Sequence, residues 1–273
     1  MTNLSISQLQ KIANGLRIDL LKMIFVASSG HPGGSLSIID VLTVLFFGGI
    51  LKHDPKNPKW EKRDFFILSK GHASSALYAV LAKQGYFPQE ELLKFRKVSS
   101  LLQGHPSTHI PGIDVATGSL GQGLSVGVGV ALGLKQDQKS NRVYVAIGDG
   151  ETQEGQIYEA ASAATHYKLD NLCAIIDHNN LQIDGPTCEV MNLGNLAKKW
   201  EAFGWKVLEI DGHNFEQILK AFNSAQEIKG QPTLILANTI KGKGAPCAEN
   251  NFQYHGKPLS EKEMEETLKA LNS

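Results

Sequence analysis

Two short polar stretches carry residue types suited to holding a charged ligand. Ile147-Gly148-Asp149-Gly150-Glu151 follows the apolar run Arg142-Val143-Tyr144-Val145-Ala146. Asp177-His178-Asn179-Asn180-Leu181 follows Leu172-Cys173-Ala174-Ile175-Ile176. Asp149 offers a hard carboxylate and Asn179 a neutral amide oxygen, and the turn at Asn180-Leu181 can aim a backbone carbonyl inward. Three such oxygens, with positions left open, suit an octahedral magnesium ion that also holds phosphate oxygens and water. Gly148 and Gly150 allow the backbone to approach the ligand closely. A lone Gly-Asp-Gly is commonly a surface turn; the asparagine thirty residues after Asp149 makes the pairing far more specific.

Histidines in tight turns form the second group. His31 lies in Ser28-Ser29-Gly30-His31-Pro32-Gly33-Gly34, where it could simply cap the preceding helix. His72 lies in Ser69-Lys70-Gly71-His72-Ala73, at a strand-to-helix junction whose free N–H groups favour anions. His105 sits in Gly104-His105-Pro106. His109 is four residues further, but Pro106 separates the two and no His-Glu-x-x-His motif is present, so they are not a helical zinc pair. His109 is expected to face solvent. His213 in Asp211-Gly212-His213-Asn214 reads as structural. Lys241-Gly242-Lys243-Gly244 follows the last apolar run, where a phosphate contact fits better than a solvated basic turn, and His255 comes shortly after.

These groups need a scaffold. Apolar residues at helical spacing predict an amphipathic helix over 8–28. A second, buried helix is expected over 38–51, and it could form part of a contact surface. A strand is expected over 64–68, a short charged helix over 88–97 and a helix over 157–164. Further on come a helix at 196–203, a strand at 205–210, a helix at 215–229 capped by Asn214, a strand at 232–237 and an amphipathic closing helix at 260–271. Gly127 and Gly129 suggest close packing of their helix. Strands alternating with helices imply one α/β domain over 1–273, a mainly parallel central sheet with helices on both faces. Both polar stretches then fall at the carboxyl ends of parallel strands, where open α/β sheets place ligands.

Gly148-Asp149-Gly150…Asn179 resembles the thiamine diphosphate motif. The longer text Gly148-Asp149-Gly150-Glu151-Thr152-Gln153-Glu154-Gly155-Gln156, with Leu181-Gln182-Ile183-Asp184-Gly185, is similar to transketolase. The resemblance covers nearly the whole chain but only the amino-terminal, diphosphate-binding part of a usual transketolase. It implies thiamine diphosphate with magnesium, or calcium or manganese as substitutes, held by Asp149, Asn179 and the carbonyl of Leu181. It implies cofactor contacts at His72, Gly118, Ser119, Leu120, Gly150, Asn179, Lys241 and His255, and catalytic or sugar-binding roles for His31, His72, His105 and His255. Gly34 stands where some relatives carry a hydroxyl, and Phe252 where many bacterial relatives carry an extra histidine.

The resemblance also implies a partner, a carboxy-terminal transketolase subunit whose pyrimidine-binding domain supplies the glutamate that activates the cofactor. Glu154 and Glu159 match family acids near the subunit interface and do not take that role. Sugar phosphates are the expected substrates and a two-plus-two assembly the expected unit, serving the pentose phosphate pathway. Met1 and a well-formed terminal helix favour a natural subunit over a truncation. Other split thiamine diphosphate enzymes, such as a two-subunit ketoacid dehydrogenase or a transketolase-like enzyme for an unusual sugar, and a non-catalytic cofactor-binding domain are the alternatives. Thr117-Gly118-Ser119-Leu120-Gly121-Gln122-Gly123 also resembles a short-chain dehydrogenase nucleotide loop, one residue short in spacing and not at the first strand–helix turn.

Composition agrees. The 27 basic and 27 acidic side chains cancel, which argues against a nucleic-acid partner. No apolar run reaches membrane-spanning length. Three scattered cysteines without a CxxC pair, and no leader peptide, fit a reducing cytoplasm.

Overall fold

Apolar side chains at successive strand positions mean a sheet covered on both faces. The computed structural model, which describes residues 4–272, contains β1 (Phe65–Leu68), β2 (Val143–Gly148), β3 (Leu172–His178), the short antiparallel pair β4 (Leu181–Gln182) and β5 (Gly185–Pro186), β6 (Lys206–Asp211) and β7 (Thr233–Asn238). The main sheet runs β1-β2-β3-β7-β6 with every pairing parallel. Its helices are α1 (Ile6–Ala27), α2 (Pro32–Phe47), α3 (Ser74–Gln84), α4 (Gln122–Gln136), α5 (Gly155–His166), α6 (Thr187–Val190), α7 (Leu196–Ala202), α8 (Phe215–Glu227) and α9 (Glu261–Asn272).

Strand alternation splits the core in two. Leu68, Tyr144, Ala146, Ile175 and Ile235 join the core under α1, α2, α3 and α8. Ile67, Val145, Ile147, Ala174, Ile176 and Leu236 join the core under α4, α5 and α7. The expected α/β architecture is therefore present. Register brings Gly148 opposite Asp177 and His178 opposite Asn238, which aligns the strand ends that carry the polar stretches.

Four local expectations need correction. The second helix begins at Pro32, not residue 38, because proline at the first helical position needs no N–H partner and has a helical φ already. The same helix is no contact surface, since Pro32 through Phe46 are all buried within this chain. The 88–97 segment is a 3-10 helix over Gln89–Lys94 rather than an α-helix. Of the two α4 glycines, Gly127 does pack closely, since an added Cβ would lie 2.6 Å from Val145 Cγ2, but Gly129 faces open space.

Candidate active site

The carboxyl ends of β1, β2, β3 and β7 surround one cavity of about 350 Å³, within the size range of cofactor sites. Asp149, just after β2, is buried; its Oδ1 accepts from Gly150 N at 2.7 Å and its Oδ2 from Asn180 N at 2.6 Å. Asn179, just after β3, donates through Nδ2 to Asp177 and accepts through Oδ1 from Leu181 N at 3.2 Å. The Leu181 carbonyl accepts from the Lys241 ammonium at 3.0 Å, so it already faces a cation. Burial, then the negative charge of Asp177, pushes the Asp149 carboxyl up to about 6 despite its backbone donors. A carboxylate in that setting calls for a compensating cation. One carboxylate, one amide oxygen and one carbonyl oxygen form a hard donor set that fits magnesium and not a soft metal.

Of the residues expected at the site, His31, His72, Gly118, Leu120, Asp149, Gly150, Asn179, Leu181, Lys241 and His255 all line this cavity. Ser119 does not and is exposed, and His105 sits exposed at the rim, where it packs against Gly118. His109 is exposed, as expected. Two glycines shape the wall: a Cβ on Gly34 would come within 3.2 Å of His72 Nε2, and one on Gly150 within 3.3 Å of Gln182 Cβ.

Three charged residues in or behind the wall were not singled out by sequence reasoning. Lys70 and Asp177 form a fully buried ion pair joining the ends of β1 and β3. Ser37 and Thr239 donate to the same carboxylate, and Lys70 also donates to Gly34 O at 2.8 Å. Burial opposes ionisation of Asp177, but Lys70 and these donors hold it below the usual carboxylate range. Glu151 accepts from Ser69 Oγ and Gly121 N on one oxygen and from Gly148 N on the other, which fixes the backbone beside Asp149. The available signal was a charged residue at the end of a buried apolar run, which says nothing about which other strand end it meets.

His31, His72 and His255 come together from three segments. Their ring centroids are 5.4 Å apart for His31–His72, 5.5 Å for His31–His255 and 5.0 Å for His72–His255. Burial first, then neighbouring cations, keeps them unprotonated. His31 falls to about 4 under burial and Arg96, and His255 to about 3 under burial and Lys241. His72 is also held well below its ordinary value by burial and Lys70, and His105 is lowered by burial and Arg96. At neutral pH the cluster therefore offers neutral imidazoles, each able to donate one hydrogen bond and accept another.

The loop bearing Lys241 is tied from several sides. Ile240 N donates to His213 Nε2 at 2.8 Å, and His213 Nδ1 meets Asp40 Oδ2 at 2.8 Å. Arg17 donates to the same Asp40 oxygen at 2.6 Å and to Lys243 O at 3.1 Å. Gly242 N donates to Gly33 O at 3.0 Å. His213 is thus a structural group, as expected, although it braces the site from behind. Gly242 has φ +79°, and a Cβ there would lie 2.2 Å from Ala248 O, so no other residue fits.

Comparison with known proteins agrees with this geometry. Residues 8–272 match the family described as transketolase, thiamine diphosphate binding domain. The chain is 48% identical, over 93% of its length and 92% of the relative's, to a 6-deoxy-6-sulfo-D-fructose transketolase subunit of Clostridium sp. (strain MSTE9). It is 45% identical to an apulose-4-phosphate transketolase subunit of Phocaeicola vulgatus, covering 93% of this chain and 90% of that one. Transketolase of Campylobacter jejuni superposes with a TM-score of 0.94 at 39% identity, over 98% of this chain and 43% of that one. The chain thus spans nearly all of the two subunits but under half of the intact enzyme. On these grounds the chain belongs to the transketolase family and corresponds to its thiamine diphosphate-binding domain.

Proposed function

We propose that the chain is the diphosphate-binding subunit of a two-subunit transketolase, with magnesium held by Asp149, Asn179 and the Leu181 carbonyl. The observation that carries this reading is a strand-end oxygen triad and a neutral histidine cluster lining one cavity, with Lys241 Nζ reaching both Leu181 O and His255 Nδ1. When bound, thiamine diphosphate supplies the nucleophilic carbon and electron sink for moving a two-carbon ketol unit from a ketose phosphate to an aldose phosphate. The chain's own residues bind and orient. Lys241, His72, Gly118, Leu120, Gly150 and His255 would hold the cofactor, while Ser119, exposed and outside the cavity, would not. His31, His72, His105 and His255 would donate to sugar oxygens and move protons there, as neutral imidazoles can near pH 7.

The partner would carry the pyrimidine-binding domain, in a two-plus-two assembly. Support comes from two relatives of nearly the same length that are themselves named as transketolase subunits. A modified sugar is the second reading of the substrate, favoured by those same names. The test is to combine this chain with its partner subunit, thiamine diphosphate and magnesium, and to assay xylulose 5-phosphate, 6-deoxy-6-sulfofructose and apulose 4-phosphate as donors. Turnover of any donor, dependent on both subunits, supports the reading. No ketol transfer from any donor by a well-formed assembly would refute it.

A further inference from the structure

Arg96 touches neither the cavity nor any carboxylate among the described residues, yet it stands between two loops that reach the site. Its backbone has φ +59°, in the left-handed region that a non-glycine residue rarely occupies. Its amide donates to Leu102 O at 2.8 Å, which turns the side chain back over the Phe95 ring. From there the guanidinium donates to Ser29 Oγ at 2.8 Å and faces His31 Nδ1 at 3.5 Å. The nitrogen that faces His31, Nη2, also lies against Gly104, where an added Cβ would be 2.9 Å from it. Arg96 Nε is buried without a hydrogen-bond partner. A half-buried cation with so few partners is costly, and it is kept against the two histidine loops.

The direction of the hydrogen bond is the telling feature. A guanidinium only donates. The nitrogen it faces, His31 Nδ1, must therefore accept, and the ring hydrogen must sit on Nε2. Nε2 lies on the far edge of the ring, near Gly256 and toward His72 and His255. We propose that Arg96 is a positioning residue: it clamps the Ser29–His31 loop to the Gly104–His105 loop and fixes His31 as the Nε2–H tautomer, whose N–H then points to the sugar. This rests on the reading of His31 as a sugar-facing residue. The charged and titratable groups facing His31 are Arg96, His105, Lys241, His72 and His255. Arg96 is the one in contact with Nδ1, and it carries a charge at every accessible pH.

The test is an NMR titration of the full chain labelled with ¹⁵N-histidine, in which pyridine-like and pyrrole-like nitrogens have distinct shifts. In the unmodified chain His31 is expected as a single tautomer with Nε2 protonated, titrating near 4. Arg96→Gln should move that titration toward 6.5, by about one unit or more, and mix the tautomers. Gly104→Ala, whose added Cβ would crowd that same Nη2, should move it the same way. Arg96→Lys keeps the charge but not the fork, so the titration should stay low while the tautomers mix. An unmoved titration and a single tautomer in both Arg96→Gln and Gly104→Ala would overturn the proposal. In the assembled enzyme, Arg96→Gln should lower kcat/KM and shift its acid limb to higher pH, with cofactor affinity unchanged. A fall in kcat/KM with an unmoved pH profile would mean a merely structural role and would also overturn it. An inactive wild-type assembly with the expected NMR behaviour would instead count against the functional reading alone.

Discussion

Among single residues, Asp149 decides whether the site holds a metal. Its backbone donors fix the direction of both oxygens, and burial makes its charge costly unless a cation arrives. Asp149→Asn should keep the shape and lose the charge. Removing an outer-shell partner of a metal typically costs 10–100-fold in affinity, so losing this ligand should weaken magnesium-dependent cofactor binding by more than about 100-fold. Calorimetry on the assembled enzyme reads this, and unchanged affinity would rule out the assignment. The histidines should separate by depth. His72 lines the cavity whereas His105 is exposed at its rim. His105→Ala should therefore slow turnover, by about 10²–10⁴-fold, and leave cofactor affinity nearly intact, while His72→Ala should reduce both. Asp149 and Asn179 were legible in the sequence because each ends its own apolar run beside a glycine or a turn. Lys70, Asp177 and Glu151 were not, because their roles depend on which strands lie side by side, and β7 inserts next to β3 from sixty residues further along the chain.

At the scale of elements, the strands were legible because doubly buried runs stand out, and the helix start capped by Asn214 follows from local chemistry, whereas the Ser5 cap that starts α1 two residues before the expected 8–28 span was not read. The start of α2 was misread because Pro32 can end one helix or begin the next, and only packing decides. Two contacts between elements make sharp tests. Gly123 starts α4 flush against β1's end, where a Cβ would lie 2.5 Å from Ser69 Oγ and 2.8 Å from Ser69 Cα. Backbone cannot retreat cheaply, so Gly123→Ala should destabilise the chain by about 1–3 kcal/mol, seen as a lower urea midpoint with the slope unchanged. The second contact is the Arg17–Asp40–His213 group joining α1, α2 and the β6–α8 turn to the Lys241 loop. Arg17 and Asp40 are 5% and 2% exposed, so Asp40→Asn leaves a buried guanidinium without its counter-charge. Breaking a buried pair this way costs about 3–5 kcal/mol. The same variant should weaken cofactor binding, because His213 would no longer be held against Ile240 N. Full stability in Asp40→Asn would show that the group contributes nothing to the fold.

At the scale of the whole molecule, acid sensitivity and incompleteness share a cause: groups gathered for chemistry rather than for stability. His31, His72 and His255 are all held below the ordinary value of 6.5 in the folded chain. The unfolded chain takes up those protons first as pH falls. Their contribution to stability is therefore complete above about 6.5 and declines as pH falls from there toward about 4 for His31 and about 3 for His255. Urea midpoints should drop over that window, less so in a His31→Gln/His255→Gln variant, and a flat profile would contradict the cluster's electrostatics. The cavity mouth adds a second asymmetry. Ile183, in the β4–β5 hairpin turn beside the proposed magnesium ligand Leu181, lines the cavity and is 63% exposed, and Val190 at the end of α6 and Met191 just after it are 41% and 59% exposed. Apolar side chains at a site's rim leave a reacting carbon open to water unless something covers them. With the proposed partner in place they would be buried and the cofactor's other end held. The lone chain, supplied with thiamine diphosphate, magnesium and a donor–acceptor pair, should therefore give no ketol transfer, and adding the partner should restore it. Met191→Asp should leave the urea midpoint of the isolated chain unchanged yet weaken assembly and activity together, read by light scattering and by product formation. Turnover by the lone chain, at a rate the partner does not raise, would sink the two-subunit reading.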